Sequence, residues 1–236
     1  MSFLVDGLYG VPQEWQYFNG RGNDLVNRIL AILLFCICAP AQSTRPARIV
    51  AQNVITSTYD PAARIGVPGK AHYLGADRWV LYGMADCELH AFVDANPEKL
   101  VQRLYWVQFE SYIPTRPELH HTYDSPKHAT LGGMDFYVDS WVRRKNEENR
   151  AGSDVEHIMG LIAKNGYHMP EAMMYVRLVH LLDDQKRKEL MIIYGEDIAP
   201  YGFAAAALQP GGKAHDRWPA MADGLLQRAK QNVNIE

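Results

Sequence analysis

The sequence predicts an α+β domain with a mostly antiparallel sheet of about five strands, in the order βββ-α-ββ-α, and with the helices packed on one face of the sheet. Three observations predict this fold. Apolar residues alternate with other residues in two runs, 104–113 and 134–142. A helical pattern with start and stop signals follows at 153–166, and two apolar runs flank a polar turn at 183–188.

The two alternating runs predict strands whose two faces differ. One face is apolar: Tyr105, Val107, Phe109 and Ile113 in the first run, and Met134, Phe136, Val138 and Val142 in the second. The other face mixes aromatic and polar groups: Trp106, Gln108, Glu110 and Tyr112, then Asp135, Tyr137, Asp139 and Trp141. We expect the apolar face to be the core, covered by Ile158 and Ile162 of the predicted helix.

A preceding strand is predicted from Trp79 to Val93, broken or bulged around Gly83. Asp94 to Pro97 supplies a turn, so this strand is expected to be the antiparallel neighbour of the 104–113 strand. With neighbouring strands in register, we expect three of its residues to join the mixed face, namely Glu88, His90 and Phe92.

The remaining elements follow from local signals. Ser153 and Glu156 form a capping-box pattern ahead of apolar residues at helical spacing, and Asn165-Gly166 ends that helix. The runs Glu171 to Leu182 and Glu189 to Tyr194 predict a hairpin, although the first run is apolar on all sides and also compatible with a helix. A short closing helix is predicted with Trp218, Ala222, Leu225 and Ala229 on its buried side.

The amino-terminal part contains a candidate export signal. Residues 29–38 are apolar and are followed by Ala39-Pro40-Ala41, the small-x-small pattern that signal peptidase cleaves. About ten apolar residues are too few to cross a bilayer, which needs about 20. The 28 residues ahead of this apolar run are too long and too mixed for the amino-terminal charged segment of a signal peptide. We therefore interpret residues 1–25 as a mis-called start, with translation from Val26. A buried helix of a cytosolic protein is the alternative.

The domain boundaries follow from this signal. Residues 1–41 are the mis-called start plus signal peptide, cleaved after Ala41, and 42–77 are an irregular lead-in with one possible edge strand at 48–55. Residues 78–236 form a single α+β domain. The protein is therefore expected to be exported, either periplasmic or extracellular in a bacterium, without a stable membrane span after cleavage.

Composition narrows the function classes. The 236 residues are 47% hydrophobic and 22% charged, with a net charge of -3, and no basic stretch argues for nucleic acid. Gly132-Gly133 precedes a predicted strand and not a helix, so no nucleotide-binding loop and no cofactor is expected. After cleavage Cys87 would be the remaining cysteine; it lies between Asp86 and Glu88, so we expect a buried apolar residue and not a nucleophile.

The long loop 114–130 is rich in histidine, and long ordered loops are often functional. A zinc ion bound by His120, Asp124 and His128 is conceivable, but three prolines in the loop exclude the regular helix that this spacing would exploit. We expect no metal and treat these three residues only as weak candidates.

The mixed face is the principal candidate site, because aromatic rings with directed polar groups suit a small polar molecule or a peptide end. The predicted ligand-binding residues are His90, Trp106, Gln108, Glu110, Tyr112, His121, Tyr137, Asp139 and Trp141. We interpret the protein as a binding or accessory domain and not an enzyme. One alternative is a hydrolase in which the 104–113 and 134–142 strands are neighbours, so that Glu110 faces Asp135 or Asp139 and the two serve as acid and base. The other alternative is a structural face covered by the lead-in.

If the export signal is correct, the mature protein begins at Gln42. Amino-terminal sequencing of the protein recovered from a secreting host checks this. A cytosolic product that retains Met1 contradicts it.

Overall fold

The computed structural model describes residues 46–236, so the predicted leader and its cleavage after Ala41 lie outside the described residues. The strands are β1 Ile49–Ala51, β2 Val54–Thr58, β3 Ala62–Gly66, β4 His72–Leu81, β5 Ala85–Ala95, β6 Val101–Tyr112, β7 His128–Leu131, β8 Met134–Arg144, β9 Ala172–Leu181, β10 Lys188–Asp197 and β11 Asn234–Ile235. The α-helices are α1 Asp154–Lys164, α2 Ala205–Leu208 and α3 Trp218–Asn232, and short 3-10 turns span Ala199–Tyr201 and His215–Arg217.

Seven strands form one antiparallel sheet in the order β4-β5-β6-β10-β9-β8-β7. The α+β class and the antiparallel pairing are confirmed, but the sheet is larger than the predicted five strands. The β9–β10 hairpin is also confirmed, and its strand β10 pairs with β6. The expectation that the 104–113 and 134–142 strands are neighbours is wrong, because β10 and β9 lie between β6 and β8.

The predicted strand from Trp79 to Val93 is in fact a tight hairpin of β4 and β5. Three residues, Tyr82 to Met84, connect Leu81 to its register partner Ala85, and Tyr82 and Gly83 have positive φ, 48° and 70°. The pairing of β5 with β6 is confirmed. The faces of β5 are nevertheless reversed relative to the prediction. An irregularity between Asp94 and Ala95 shifts the β5–β6 register by one residue.

The shifted register moves three residues to the opposite face of the sheet. Glu88, His90 and Phe92 pair with Phe109, Val107 and Tyr105, so they lie on the apolar side. The residues of β5 that share a face with Trp106, Gln108 and Glu110 are instead Ala91, Leu89 and Cys87. The assignment of His90 to the mixed face is therefore wrong.

The core lies between the large sheet and a second sheet of order β1-β2-β3-β11. Residues 49–66, predicted as part of an irregular lead-in, form three of these four strands. Ile55 and Ile65 are fully buried and belong to the same core cluster as Phe136 and Val138 of the large sheet. Glycine is required at Gly132 (φ 56°), where a Cβ atom would lie 2.5 Å from the Cβ of Ile235. The alternative in which the lead-in covers the mixed face is therefore wrong for residues 49–66, which pack on the core side of the large sheet.

The two longer helices lie on opposite faces, which corrects the prediction that helices pack on one face. Helix α3 packs on β9, and its Leu225 and Ala229 join the core as predicted, together with Leu226. Helix α1, whose predicted bounds are confirmed, packs on β4 and β5 with Ile158 and Ile162 buried there and not over Val107 or Phe136. Among residues 46–236, no helix has the length and apolarity needed to cross a bilayer.

Replacing the fully buried Phe136 by Ala is expected to reduce the free energy of unfolding by about 3 to 5 kcal/mol, because the change leaves a cavity between the two sheets. Ile49→Ala is the control: this side chain is 72% exposed on a short edge strand, and a change within about 0.5 kcal/mol is expected. Chemical denaturation measures both. An equal effect of the two changes would contradict the assignment of the core.

Candidate functional site

The candidate site lies on the face of the large sheet opposite the core, which we call the polar face. Strand register defines it as rows of side chains that cross the sheet: Cys87, Glu110 and Glu189; Leu89, Gln108, Met191, Val179 and Tyr137; and Ala91, Trp106, Ile193, Arg177 and Asp139. Three of the predicted ligand residues lie within these rows on β6, and two lie within them on β8. Tyr112 on β6 and Trp141 on β8 lie further along the same face.

Two glutamates face one another at the centre of one row. Glu110 on β6 is the direct register partner of Glu189 on β10, and Cys87 pairs with Glu110 from the other side. Glu189 is only 3% exposed, and Glu110 is half-buried. Directly opposed like charges destabilise an antiparallel pair, so this arrangement disfavours the state in which both groups are ionised.

The surroundings of this pair favour protonated carboxyl groups. Burial raises the pKa of Glu110 well above its usual range, and the charges of Glu189 and Asp154 raise it further. Burial also raises the pKa of Glu189 from 4.5 to about 7, against the opposing effects of a Tyr123 hydrogen bond and the Arg177 charge. At neutral pH the pair therefore retains at least part of its protons.

The loop between β6 and β7 supplies two partners for Glu189. The Tyr123 hydroxyl donates a hydrogen bond to Oε2 of Glu189 at 2.7 Å, and Nδ1 of His121 lies 3.1 Å from the same oxygen. Burial lowers the pKa of His121 to about 4, so its imidazole is neutral and can donate from Nδ1. Its Nε2 is then left buried without a hydrogen-bond partner in the described part of the chain.

A hydrogen-bonded series of side chains runs along β6. Nε1 of Trp106 donates to Oε1 of Gln108 at 3.0 Å, and Nε2 of Gln108 donates to Oε2 of Glu110 at 3.3 Å. The indole can only donate, so it fixes the orientation of the amide and directs its NH₂ group toward the carboxyl. Trp106 and Gln108 are buried, at 4% and 0% exposure, which makes this series rigid.

Arg177 brings positive charge to the neighbouring row. Its Nη2 donates to Oδ2 of Asp139 at 2.6 Å, and its guanidinium lies 5.3 Å from the centre of the Tyr123 ring. The Ser125 hydroxyl donates to the other oxygen of Asp139. The Arg177–Asp139 pair thus connects the acidic centre of the face to its more exposed side on β8.

A third acid approaches from helix α1. Asp154, the first residue of α1, is 2% exposed, and its Oδ1 has no hydrogen-bond partner among residues 46–236. Burial raises its pKa to about 6, and its charge contributes to the raised pKa values of Glu110 and Glu189. His157 holds the helix over β4. Its ring stacks on Trp79 with ring centres 4.0 Å apart, and its Nδ1 lies within hydrogen-bond distance, 2.7 Å, of Oδ2 of Asp77.

The outer part of the face is aromatic and half-buried. Trp141 stacks on Tyr175 with ring centres 5.5 Å apart, and Tyr137 lies 5.7 Å from Tyr123. Gly195 lies beneath the Tyr175 ring, where a Cβ atom would approach that ring to 2.8 Å. Glycine at this strand position therefore allows the aromatic ring to lie flat across the sheet.

The structure assigns the predicted residues as follows. Trp106, Gln108, Glu110, Tyr112, His121, Tyr137, Asp139 and Trp141 belong to the polar face or its adjoining loop, and their role in binding stays a prediction. His90 instead lies on the core side, 3.1 Å from the Tyr73 hydroxyl and 3.0 Å from Glu88.

The predicted acid–base pair of Glu110 with Asp135 or Asp139 is wrong, because Glu110 has a different partner across the adjacent strand. Glu110 does not face Asp135 or Asp139 across adjacent strands, since two strands separate β6 from β8, and its register partner is Glu189. Sequence reasoning missed Glu189, Arg177, Asp154 and Tyr123 as site residues. The available signal for Glu189 is a charged residue at the start of an otherwise apolar strand. Asp154 lies within the predicted capping pattern, which indicates the start of a helix but not a site.

The weak metal candidates do not converge. His120, Asp124 and His128 are all exposed, and His128 bonds the carboxylate of Asp135 at 3.0 Å. Within residues 46–236, no group of three or more His, Cys, Asp or Glu side chains is arranged to hold a metal ion.

The predicted burial of Cys87 is confirmed at 0% exposure, and burial raises the pKa of its thiol.

No protein-family model, no curated protein and no solved structure matches this chain. The geometry of the polar face is therefore the basis for inferring its function.

Glu189→Gln is expected to make stability less dependent on pH. The folded-state pKa of Glu189 is about 7 and the ordinary value is 4.5, so the unfolded chain loses this proton first as pH rises. Wild-type stability should fall through this pH window, and the glutamine variant should lack that fall. Denaturation at pH 5 and pH 8 measures it, with the exposed Glu171→Gln as control. Parallel pH profiles for all three proteins would contradict the assignment.

Proposed function

We propose that this protein is an exported binding domain that takes a small polar organic molecule on the polar face. The observation that carries the proposal is the register pair Glu110 and Glu189, set among buried aromatic and hydrogen-bonding side chains. A fold gains little stability from opposing the buried carboxyl group of Glu189 and the half-buried carboxyl group of Glu110, and groups with perturbed pKa values concentrate at functional sites. The pair is thus better explained by a ligand than by folding.

The composition of the face supports a small ligand. Ligand sites combine apolar and aromatic walls with a few directed polar groups. Here Tyr137 and Trp141 supply half-buried rings, and Glu110, Asp139 and Gln108 supply polar groups in defined orientations. A small polar molecule, or the end of a peptide, fits this combination of groups.

Export is the second component of the proposal. It rests on the apolar run 29–38 and on the Ala-Pro-Ala pattern that follows it, both outside the described residues. In a periplasmic or extracellular setting the domain would act as a binding or accessory protein. The net charge of -3 and the absence of a basic stretch in the sequence argue against nucleic acid as its partner.

A hydrolase is the second candidate function, and the raised pKa values favour keeping it. Glu189, with a pKa of about 7, is suited to accept a proton near neutral pH, whereas Glu110 would remain the more protonated member of the pair. This version replaces Asp135 and Asp139 by Glu189 as the partner of Glu110. Turnover of a bound molecule, absent from Glu189→Gln, would favour the hydrolase over the binding domain.

Tyr137→Ala tests the proposed surface. In a screen of sugars, amines, organic acids and short peptides followed by calorimetry, a molecule that binds the parent should lose about tenfold in affinity, as removal of an aromatic contact usually causes. The ring is half-buried, so the fold should persist. Tyr59→Ala is the matched control, since Tyr59 is 46% exposed beside the small sheet. Equal affinities in both variants, or no binding by the parent, would overturn the proposal.

A further inference from the structure

A cavity lies beside helix α3, on the core side of the large sheet and away from the polar face. Its volume is about 630 Å³. Small-molecule sites usually measure roughly 300 to 1,000 Å³. Its described walls come from the connection between β10 and α3, residues 201–217, and from residues 220–228 of α3. The cavity is therefore large enough for a small organic molecule and is built from elements that the polar face does not use.

Arg228 is the residue of this cavity that points to a ligand. Its Nε donates to both carboxylate oxygens of Glu196, at 2.9 and 3.1 Å. Neither of its terminal nitrogens, Nη1 and Nη2, makes a hydrogen bond within residues 46–236. Nη1 lies 3.1 Å from the position that a Cβ atom of Gly224 would occupy, and both residues line the cavity. The end of the guanidinium fork is thus left for a partner in the cavity.

Glu196 holds this guanidinium in one orientation. Its carboxylate is buried on β10 and also accepts hydrogen bonds from the hydroxyls of Tyr194 and Tyr201, at 2.5 and 2.7 Å. A carboxylate fixed by two tyrosines restricts the arginine that donates to it. A guanidinium held through Nε keeps Nη1 and Nη2 side by side, the geometry that binds both oxygens of a second carboxylate.

The charge of the cavity favours an anion. Among the described residues of its wall, Lys213, Arg217 and Arg228 are cationic and Asp216 is acidic. Asp216 lies 3.8 Å from Arg217, and both side chains are more than 70% exposed. Lys213 forms no ion pair with any described residue. Because the chain as a whole carries a net charge of -3, this local excess of positive charge is opposite to its average.

The rest of the wall is apolar and aromatic. Phe203 and Met221 are partly buried and pack against the core. Tyr201 is 38% exposed, and the centre of its ring lies 5.6 Å from the guanidinium carbon of Arg228. Its hydroxyl bond to Glu196 fixes the ring beside the cavity. An apolar or aromatic body is therefore the part of a ligand that these three side chains suit.

Gly224 keeps the cavity open. It lies in the interior of α3, where glycine is less favourable than alanine. Apart from the helix backbone and the neighbouring residues, the atom that a Cβ at this position would meet within 4 Å is Nη1 of Arg228. Packing against another described element therefore does not require glycine here. Its absence of a side chain leaves room for the guanidinium and for a molecule beside it.

We propose that this cavity binds a small organic carboxylate with an apolar, preferably aromatic, body. The carboxylate accepts hydrogen bonds from Nη1 and Nη2 of Arg228, and the body lies against Tyr201, Phe203 and Met221. This site is additional to the proposed function of the polar face and does not depend on it.

A phosphate group fits this cavity less well than a carboxylate. Phosphates commonly bind at helix amino termini, where several backbone N–H groups lack partners. The first turn of α3 contains Pro219, which has no N–H, and the N–H of Trp218 already donates to the carbonyl of His215. A carboxylate carries a single charge and needs only the one fork that Arg228 provides.

The experiment is calorimetry of the full chain with benzoate, phenylacetate and indole-3-acetate, each compared with its neutral amide. A carboxylate is expected to bind at least about tenfold more tightly than its amide, because the amide lacks the charge that the guanidinium pairs with. Added salt should weaken the binding of the carboxylate and not that of the amide. Phenyl phosphate is the comparison for the choice of anion.

Gly224→Leu tests the cavity without removing a charge. Leucine is a better helix former than glycine, so the helix should persist while the side chain fills the space beside Arg228. Affinity for the carboxylate should fall at least about tenfold, as expected when a ligand pocket is filled. Gly160→Leu is the matched control, since Gly160 lies within α1 and a Cβ there meets nothing within 4 Å.

Arg228→Gln tests the fork itself and should also weaken binding at least about tenfold. Lys230→Gln removes one positive charge from the same helix outside the described cavity wall, and it should leave the affinity within about twofold of the parent. Denaturation curves for every variant establish that the fold persists. Because Arg228→Gln also removes a partner of the buried Glu196, Gly224→Leu decides the case if Arg228→Gln does not fold.

The outcomes are distinct from those for the polar face. Loss of carboxylate binding in Gly224→Leu, with the parent affinity in Gly160→Leu, Lys230→Gln and Tyr137→Ala, supports the site. Equal binding of carboxylates and amides, no binding of any of the three carboxylates to the parent, or unchanged binding in Gly224→Leu overturns it. Tighter binding of phenyl phosphate than of benzoate overturns the assignment of a carboxylate as the ligand. Because Tyr137→Ala tests the polar face separately, failure of either proposal leaves the other standing.

Discussion

The pairing of β6 with β10 is the interaction on which the rest of the structure depends. One meander, β4-β5-β6, and a second, β7-β8-β9-β10, each have a free edge that this pairing closes into one seven-stranded sheet. The register runs from Lys188 opposite Ser111 to Glu196 opposite Arg103. It places Leu190, Ile192 and Tyr194 beside apolar residues of β6 on one face, and it places Glu189 beside Glu110 on the other.

A single register thus determines both the stability and the chemistry of the domain. A shift by one residue would exchange the two faces of β10 relative to β6 and bring charged groups into the core. The gain from burying the apolar face, at roughly 25 cal/mol per Å² of apolar surface, specifies the register strongly enough to tolerate two opposed carboxyl groups. The unfavourable pair is therefore held in place by the packing of Phe136, Ile192 and Ile55 on the opposite face.

Local patterns in the sequence predicted much of the fold but little of the site. Alternation correctly placed Val107 and Phe136 in the core, and local signals correctly predicted the bounds of α1 and the β9–β10 hairpin. The capping box itself is not formed, because the Ser153 side chain makes no cap hydrogen bond. Strand order was not predictable in the same way, because consecutive strands are neighbours only about two-thirds of the time and β10 inserts beside β6.

Two local features of the backbone explain the errors in β4 and β5. A register shift between Asp94 and Ala95 decides which side chains of β5 lie on which face of the sheet. A hairpin turn at Tyr82 and Gly83 divides the predicted single strand into β4 and β5. Neither feature changes the apolar periodicity on which the prediction depended. The site residues that sequence reasoning missed are those that strand order, and not local pattern, brings to Glu110.

The position of α1 links β4, at the edge of the sheet, to the Glu110–Glu189 pair, because Asp154 at the start of α1 influences the pKa of both glutamates. The amino terminus of a helix carries partial positive charge, which favours the ionised form of Asp154, whereas burial favours its protonated form. His157 acts in the same direction as the helix terminus, since its charge lowers the pKa of Asp154. The same imidazole holds α1 on β4 through Asp77 and Trp79. The protonation of Glu110 and Glu189 therefore depends on the position of α1, which is fixed on β4, although β4 contributes no carboxyl group to the pair itself.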